Sequence, residues 1–259
     1  MSGDLVDQAT APVTAPGDNF VPKSSLIRIV DFEANGLDAS AKVIESGWTD
    51  FDFITKAVTE GESRFHFANN NPPEARAANH IWMEDIAHAS AFDAEAFVVA
   101  AIDADAQALA AHNMAYEAQW LGRHAEGNIH LICTMKSAMR VWPECPTFSN
   151  FGLGYWLMDR GLISVRRPLI TPAHRAGPDS MMTAHILKAL FESGCTGQQL
   201  VSWTRRPAAW PTCPIGEHRG KPWPDVPKGF LDWMVNKAQG MDPDYVWCAQ
   251  RELERRRNG

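Results

Sequence analysis

The sequence lacks the features that define several classes of protein. No apolar run among its 259 residues approaches the roughly 20 residues that a membrane span requires. The N-terminus has no basic region followed by an apolar block, and Asp4 and Asp7 stand where a signal peptide carries positive charge. We therefore predict a cytoplasmic protein without a membrane association.

Paired cysteines are also lacking. The five cysteines are scattered, and no two of them form a Cys-x-x-Cys pair. This spacing argues against a structural zinc site and against a disulfide framework. They are Cys133, Cys145, Cys195, Cys213 and Cys248.

An excess of positive charge is absent as well, since the net charge is −7. Residues 196–259 hold ten Lys/Arg against seven Asp/Glu, whereas residues 1–195 hold 14 against 24. An acidic body with a mildly basic tail is not typical of a protein that binds nucleic acid by bulk charge. It does not exclude a local site where metal ions offset the carboxylates.

The length permits either one large domain or one domain with an appendage. Residues 1–24 are rich in Ala, Pro, Thr, Gly and Asp, which predicts a disordered leader. We expect the main domain over 25–195. The composition shifts after Gly194, and we expect a small α+β module over 205–259.

The stretch 26–36 is the one around which the chain is organised. Its apolar, β-branched run predicts a buried strand, and Asp31 and Glu33 near its end share one face because side chains alternate along a strand. Adjacent carboxylates repel each other, and a bound cation removes that cost. The alternative is a strand that ends in an acidic, solvated turn, and this stretch alone does not separate the two.

The remaining pattern predicts an α/β fold. Strands at 43–53 and 64–67 follow with short connections, as in an antiparallel meander. Strands at 107–111 and 129–133 then alternate with helices, which predicts a mixed sheet with helices on both faces. The predicted helices lie near 84–89, 93–104, 115–126, 136–141, 152–160, 179–193 and 197–203, with two more from 230 and 243.

Two further patches place polar groups at element ends. Asn113 and Glu117 are four residues apart, so they share a helix face. His174 precedes a helix whose first turn contains Asp179. Taken singly, Asp179 is also a plain helix cap, His174 an ordinary loop histidine and Glu117 a solvated helix charge.

Taken together, Asp31, Glu33, Glu117 and Asp179 offer four carboxylates from three elements. Hard oxygen ligands suit Mg²⁺ or Mn²⁺, and two such ions about 3.5–4 Å apart are the standard arrangement for attack on a phosphodiester. A neutral histidine such as His174 can accept a proton from water near pH 7.

These patches resemble, in order and spacing, the motifs of the DEDDh 3′–5′ exonucleases. The third patch fits the pattern His-x-Ala-x-x-Asp of that family. Residues 132–136, 142–143, 149–150, 216–221 and 230–233 resemble the bacterial exodeoxyribonuclease X group, so that the resemblance spans about 26–235. The three motifs read Asp31-Phe32-Glu33, His112-Asn113-Met114-Ala115-Tyr116-Glu117 and His174-Arg175-Ala176-Gly177-Pro178-Asp179.

The resemblance implies a ribonuclease H-like fold with a mixed five-stranded sheet flanked by helices. It implies a metal-dependent exonuclease that releases nucleoside monophosphates from single-stranded DNA 3′ ends. Two Mg²⁺ ions, with Mn²⁺ able to substitute, would be held by Asp31, Glu33, Glu117 and Asp179, and His174 would be the general base. Substrate contacts are implied for Phe32, Ala34, Leu37, Asn113 and Tyr116, of which Asn113 braces the second motif.

The chain departs from the family pattern at two positions. Glu117 stands where the family usually has Asp, and Ala34 stands where a small hydroxyl residue is common. These departures leave the alternative of a nucleic-acid-binding protein with an impaired site. A second alternative is an exonuclease that acts on RNA, since the family fold supports both sugars and no residue reads the 2′-hydroxyl unambiguously.

The C-terminal module carries a predicted hairpin over 215–223 with a basic tip formed by His218, Arg219 and Lys221. The tip is either a phosphate clamp or a plain hairpin with Trp223 packed beneath it. The basic run 255–257 predicts a solvated helix end that suits the helix dipole.

Overall fold

The structure, a computed structural model, describes residues 24–38 and 40–258. The predicted leader over 1–24 lies outside these residues except for Ser24. None of the described helices combines the length and the apolar character that a membrane span requires.

A five-stranded sheet forms the centre of the fold, in the order β3-β2-β1-β4-β5. Strand β1 pairs antiparallel with β2, which pairs antiparallel with β3, whereas β1, β4 and β5 run parallel. The predicted mixed α/β sheet is therefore confirmed. The strands are β1 Leu26–Ala34, β2 Val43–Asp52, β3 Glu62–Phe65, β4 Ala108–Ala111 and β5 His130–Cys133.

Helices cover both faces of this sheet. Because side chains alternate along β1, Ile27 and Ile29 join the core beneath α5, α6 and α7, and Val30 joins the core beneath α3 and α4. The helices are α1 Pro73–Asn79, α2 Met83–Ile86, α3 Ala94–Asp103, α4 Met114–Ala125, α5 Thr134–Val141, α6 Asn150–Asp159, α7 Ala176–Glu192, α8 Gly197–Arg205, α9 Lys228–Asn236 and α10 Pro243–Asn258.

Helix α7 begins three residues earlier than the sequence pattern predicts. Pro178 lies within its first turn. The first four N–H groups of a helix have no partner within the helix, so a proline costs little there. The earlier start places Arg175 at the N-cap and Asp179 in the first turn, which corrects the alternative that Asp179 is a plain cap.

The C-terminal segment is helical, so the predicted α+β character of 205–259 is wrong for its described residues. The predicted hairpin is a loop with a 3₁₀ turn over Gly216–His218, closed by an isolated bridge between Thr212 and Pro222. The segment has a small core of its own around Trp223 and Leu231.

The basic run at the end of α10 is not uniformly solvated, contrary to the prediction. Both Arg255 and Arg256 pair with Glu252, at 2.8 and 2.7 Å. Arg256 also donates to the carbonyl oxygens of Trp223 at 3.0 Å and Val226 at 2.7 Å. These bonds give Arg256 a structural role within the C-terminal segment.

Candidate active site

Strand β1 supplies two of the predicted carboxylates. Asp31 and Glu33 lie on the face of the sheet that α7 covers, since they alternate with Val30 and Phe32, which pack in the opposite core. Phe32 is 3% exposed, and its ring contacts those of Phe92, Phe97 and Trp120. The side chain of Phe32 therefore anchors the strand in the core, which leaves only the backbone of this residue to line the predicted nucleotide slot.

Helix α4 supplies Glu117. The parallel strand β4 delivers the chain to the same edge of the sheet as the end of β1, and α4 begins there. Glu117 faces inward and is 4% exposed, and its Oε2 atom has no hydrogen-bond partner among the described residues. A buried carboxylate oxygen without a donor is costly, so this atom is suited to a cation or a water that the protein does not itself provide.

Helix α7 supplies Asp179, and the loop before it supplies His174. The Oδ1 atom of Asp179 accepts a hydrogen bond from the backbone N–H of His174 at 3.1 Å. His174 is exposed and has a positive φ of 60°. One ligand atom from each of Glu33, His174 and Asp179 lies within 4.8 Å of the other two, so residues about 140 positions apart in the chain meet here.

The carboxylates raise one another's pKa. Burial raises the pKa of Glu33 to about 8, and repulsion from Asp179 adds to this. Burial and the charge of Glu33 raise the pKa of Glu117 to about 8. The pKa of Asp179 rises to about 7 through burial, although its bonds from backbone N–H groups oppose the rise. The pKa of Asp31 lies well above its ordinary value because of burial, followed by repulsion from Asp179 and Glu117.

These residues fit a divalent metal site. Most of the donors are carboxylate oxygens, which are the ligands that Mg²⁺ and Mn²⁺ prefer, and His174 adds one imidazole beside them. Burial raises the pKa of each of the four carboxylates, and repulsion from neighbouring carboxylates adds to the rise, which a bound cation would oppose. The unpartnered Oε2 of Glu117 points to the same conclusion.

One cation of the chain lies beside the cluster, and the sequence pattern did not single it out. Arg175 binds Glu45 of β2 and lowers the pKa of Glu33. Glu45 is a charged residue within a buried strand and is 1% exposed, a placement that signals a role for its carboxylate. Asn150 was likewise missed as a site residue: its side chain donates to the backbone oxygen of Asp179 at 3.0 Å.

A cavity of about 500 Å³ opens beside Glu33 and takes in three of the predicted substrate residues, Ala34, Leu37 and Tyr116. Leu37 is 86% exposed at its rim. The carbonyl oxygen of Ala34 accepts a hydrogen bond from the Asn79 side chain at 3.3 Å, which fixes the floor of the cavity to α1. An exposed leucine beside a carboxylate cluster is a surface on which an aromatic base can stack.

Asn113 does not brace the second motif as predicted. Its side chain is exposed and makes no capping bond, while Glu117 is buried, so the two do not share a face of the helix. The adjacent His112 takes the bracing role. Its Nδ1 lies 3.0 Å from Thr134 Oγ1, and its Nε2 lies 2.8 Å from the carbonyl oxygen of Phe148.

The predicted basic tip is only partly available to a ligand. His218 is 8% exposed and its ring packs edge-on against Phe230. Lys221 Nζ lies 3.2 Å from His218 Nδ1, and Arg219 Nε donates to the carbonyl oxygen of Pro214 at 2.9 Å. Trp223 is buried beneath the loop, as the plain-hairpin alternative expects.

No profile of a known protein family matches the chain. Among curated proteins, exodeoxyribonuclease 10 of Escherichia coli (strain K12) is 28% identical over 245 residues, which is 88% of this chain and 99% of that protein. The protein of the same name from Escherichia coli O6:H1 matches with the same identity and coverage.

Solved structures agree with this relationship. Exonuclease X in complex with 5′ overhanging duplex DNA superposes with a TM-score of 0.53 and 26% identity, covering 69% of this chain and 99% of that one. Cell-death related nuclease 4 shares the fold, with a TM-score of 0.50, 18% identity and 71% of each chain covered. With the three motifs gathered at one edge of a ribonuclease H-like sheet, the chain resembles the DEDDh exonucleases in both sequence and fold.

Proposed function

We propose that the chain is a 3′–5′ exodeoxyribonuclease that hydrolyses phosphodiester bonds from the 3′ end of DNA and releases nucleoside monophosphates. One observation carries the proposal. Carboxylates from β1, α4 and α7 converge with His174 beside an open cavity of about 500 Å³. The curated relative and the complex of exonuclease X with DNA support DNA as the substrate.

The metal cofactor of the proposal is two Mg²⁺ ions, with Mn²⁺ able to substitute. Asp31, Glu33, Glu117 and Asp179 would hold them, and bound ions of this kind activate a water and stabilise the leaving oxygen. A ligand atom of Glu33 and one of Asp179 lie within 4.8 Å of an imidazole nitrogen of His174. This nitrogen could therefore accept the proton of a water that attacks from beside the two carboxylates. Because His174 is exposed, that nitrogen is open to water, and the ring can pass the proton on to solvent.

The cavity would bind the terminal nucleotide. Leu37 would stack on its base and Tyr116 would close the opposite wall, since both side chains line the same space. Tyr116 is held in place by an edge-on contact with Trp120 at 4.7 Å between ring centroids. Ala34 has no hydroxyl, so it would contact the sugar through its backbone and methyl group only.

Digestion of 5′-labelled single-stranded DNA with Mg²⁺ or Mn²⁺ tests the proposal, and a 5′-overhanging duplex is added because exonuclease X was solved with one. We expect a ladder that shortens from the 3′ end. Asp31→Ala and Asp179→Ala should each abolish the ladder while circular dichroism stays unchanged. Intact DNA under every condition, from folded protein, would refute the proposal. RNA of the same sequence in one reaction measures the preference for sugar.

Glu117 decides between an active and an impaired site. The burial of Glu117 and its electrostatic effect on Asp31 support a working ligand that is one methylene longer than Asp. We expect Glu117→Gln to lower kcat about 100-fold and Glu117→Asp to retain most of it. Binding of DNA without hydrolysis in both the parent and Glu117→Asp would instead favour a nucleic-acid-binding protein.

We also propose that residues 25–195 form the exonuclease domain and that 205–259 pack onto it as a small module. Lys136 of α5 donates to the carbonyl oxygen of Arg206 at 2.9 Å, and Arg140 donates to that of Pro207 at 2.6 Å. Because these bonds cross the proposed boundary, a deletion from 205 would remove the acceptors of two half-buried donors. The cytoplasmic location stays a prediction.

A further inference from the structure

Glu45 is a buried carboxylate at the centre of the sheet. It lies on β2 directly opposite Glu33 of β1, and its side chain is 1% exposed. Like charges opposite each other on one face of a sheet are destabilising, and a buried carboxylate needs charged or N–H partners. The hydrogen-bond partners of Glu45 therefore indicate which part of the fold this carboxylate holds in position.

Among the described residues, the side chain of Glu45 accepts hydrogen bonds from two consecutive residues at the start of α7. Arg175 donates from Nε to Oε2 and from Nη2 to Oε1, both at 2.9 Å, and the backbone N–H of Ala176 donates to Oε2 at 3.1 Å. A two-pronged guanidinium–carboxylate pair fixes both position and orientation. The side chain of Arg175 also lies over the Phe65 ring at 5.2 Å.

The sheet presses against the same point of α7. A Cβ atom on Gly47 would lie 2.1 Å from the carbonyl carbon of Ala176, so only glycine fits there. Two residues farther along β2, Thr49 Oγ1 lies 2.9 Å from Ser180 Oγ. Strand β2 thus positions the first turn of α7 by close contact, and Glu45 holds Arg175, the N-cap residue of that helix.

His174 immediately precedes this anchor. Within the described residues its imidazole has no hydrogen-bond partner, so only the backbone sets the position of the ring. That backbone has a φ of 60°, an unfavourable conformation for a residue other than glycine. Its bond to Asp179 and the anchored Arg175 hold the turn in place.

We propose that Arg175 and Glu45 are positioning residues, whose ion pair holds the turn at 174–176 so that His174 and Asp179 face Glu33. The proposal rests on the exonuclease activity proposed above. Neither residue needs to touch the substrate, because the pair acts through the backbone of the turn.

Arg175→Lys and Glu45→Gln test the proposal, because each keeps the size of the side chain and removes the two-pronged charged pair. The chain offers a matched control in Arg28 and Asp50. These residues also pair in a two-pronged way between β1 and β2, at 2.8 Å, and are 13% and 18% exposed. Arg28 lies on the opposite face of the sheet, where it contacts the carbonyl oxygen of Ala100.

Two measurements separate positioning from general stability. The first is kcat and KM on 5′-labelled single-stranded DNA with Mg²⁺. We expect Arg175→Lys and Glu45→Gln to lower kcat about 10- to 100-fold with KM within about threefold. Arg28→Lys and Asp50→Asn should lower Tm by a similar amount and leave kcat unchanged. Equal losses of kcat in both pairs, or wild-type kcat in Arg175→Lys, would overturn the proposal.

The second measurement is amide hydrogen exchange over 174–180 in metal-free protein, which does not depend on activity. We expect exchange about tenfold faster in Arg175→Lys and Glu45→Gln than in the parent, and no change in Arg28→Lys. Unchanged exchange would refute the anchoring role. A parent protein without nuclease activity but with this exchange pattern would instead refute the proposed function and leave the anchor standing.

Discussion

The clustered carboxylates make a sharp prediction about stability and pH. A carboxyl group whose folded pKa is raised stabilises the fold fully below its unfolded pKa, and that contribution is lost as the pH rises through the folded pKa. The folded pKa is about 8 for Glu33 and Glu117 and about 7 for Asp179, against ordinary values of 4.5 and 3.8. The metal-free protein should therefore lose stability between about pH 4.5 and pH 8.

The magnitude follows from the shift. One group whose pKa moves from 4.5 to about 8 costs about 4 kcal/mol of unfolding free energy at pH 8, at 1.36 kcal/mol per pKa unit. Mutual repulsion links the groups, so the proton that one carboxylate keeps relieves its neighbours. We therefore expect the whole cluster to cost about 4 kcal/mol or more by pH 8, a large share of the stability of a typical domain.

Urea unfolding from pH 5 to pH 8 in EDTA measures this loss, and Mg²⁺ should restore stability at pH 8 because it replaces the missing positive charge. Glu33→Gln removes one charge at constant shape, so in EDTA it should be more stable than the parent at pH 8 and similar at pH 5. Glu60→Gln, at an exposed glutamate outside the site, is the control and should change neither value. A flat profile for the parent, or a destabilised Glu33→Gln at pH 8, would refute the reasoning.

Three further predictions concern the surroundings of the site. Gly47→Ala should cost about 3 kcal/mol in urea unfolding because its Cβ meets backbone, whereas Gly229→Ala, with open space around it, should be neutral. His112, with a pKa lowered to about 4 by burial, stays neutral when folded. The contribution of His112 to stability should therefore fall by about 3 kcal/mol from pH 6.5 to pH 4, measured as the difference between the pH profiles of the parent and His112→Asn. The double variant Arg219→Ala/Lys221→Ala should leave the salt dependence of DNA binding unchanged. A reduction of about 2 in the slope of log K against log salt concentration would instead show a phosphate clamp.

The pattern of residues within each motif, which is visible in the sequence, determined most of the local structure. The alternation of apolar residues before Asp31 and Glu33 specifies a strand with both carboxylates on one face, because side-chain direction on a strand depends only on parity. The four residues between His174 and Asp179 likewise specify a turn and the first turn of a helix. These are short-range properties, and the structure agrees with them.

Longer-range features were decided by the tertiary structure. Glu45 and Arg175 are 130 positions apart, and neither carries a motif that predicts the other, yet packing of α7 on β2 makes them partners. Phe32 and His218 looked available in the sequence and are buried, because apolar contact outweighs exposure once a core forms around them. The sequence alone determined which groups are proposed to do the chemistry, whereas the tertiary structure decided which other groups hold them in place, since burial and long-range pairing exist only in the folded chain.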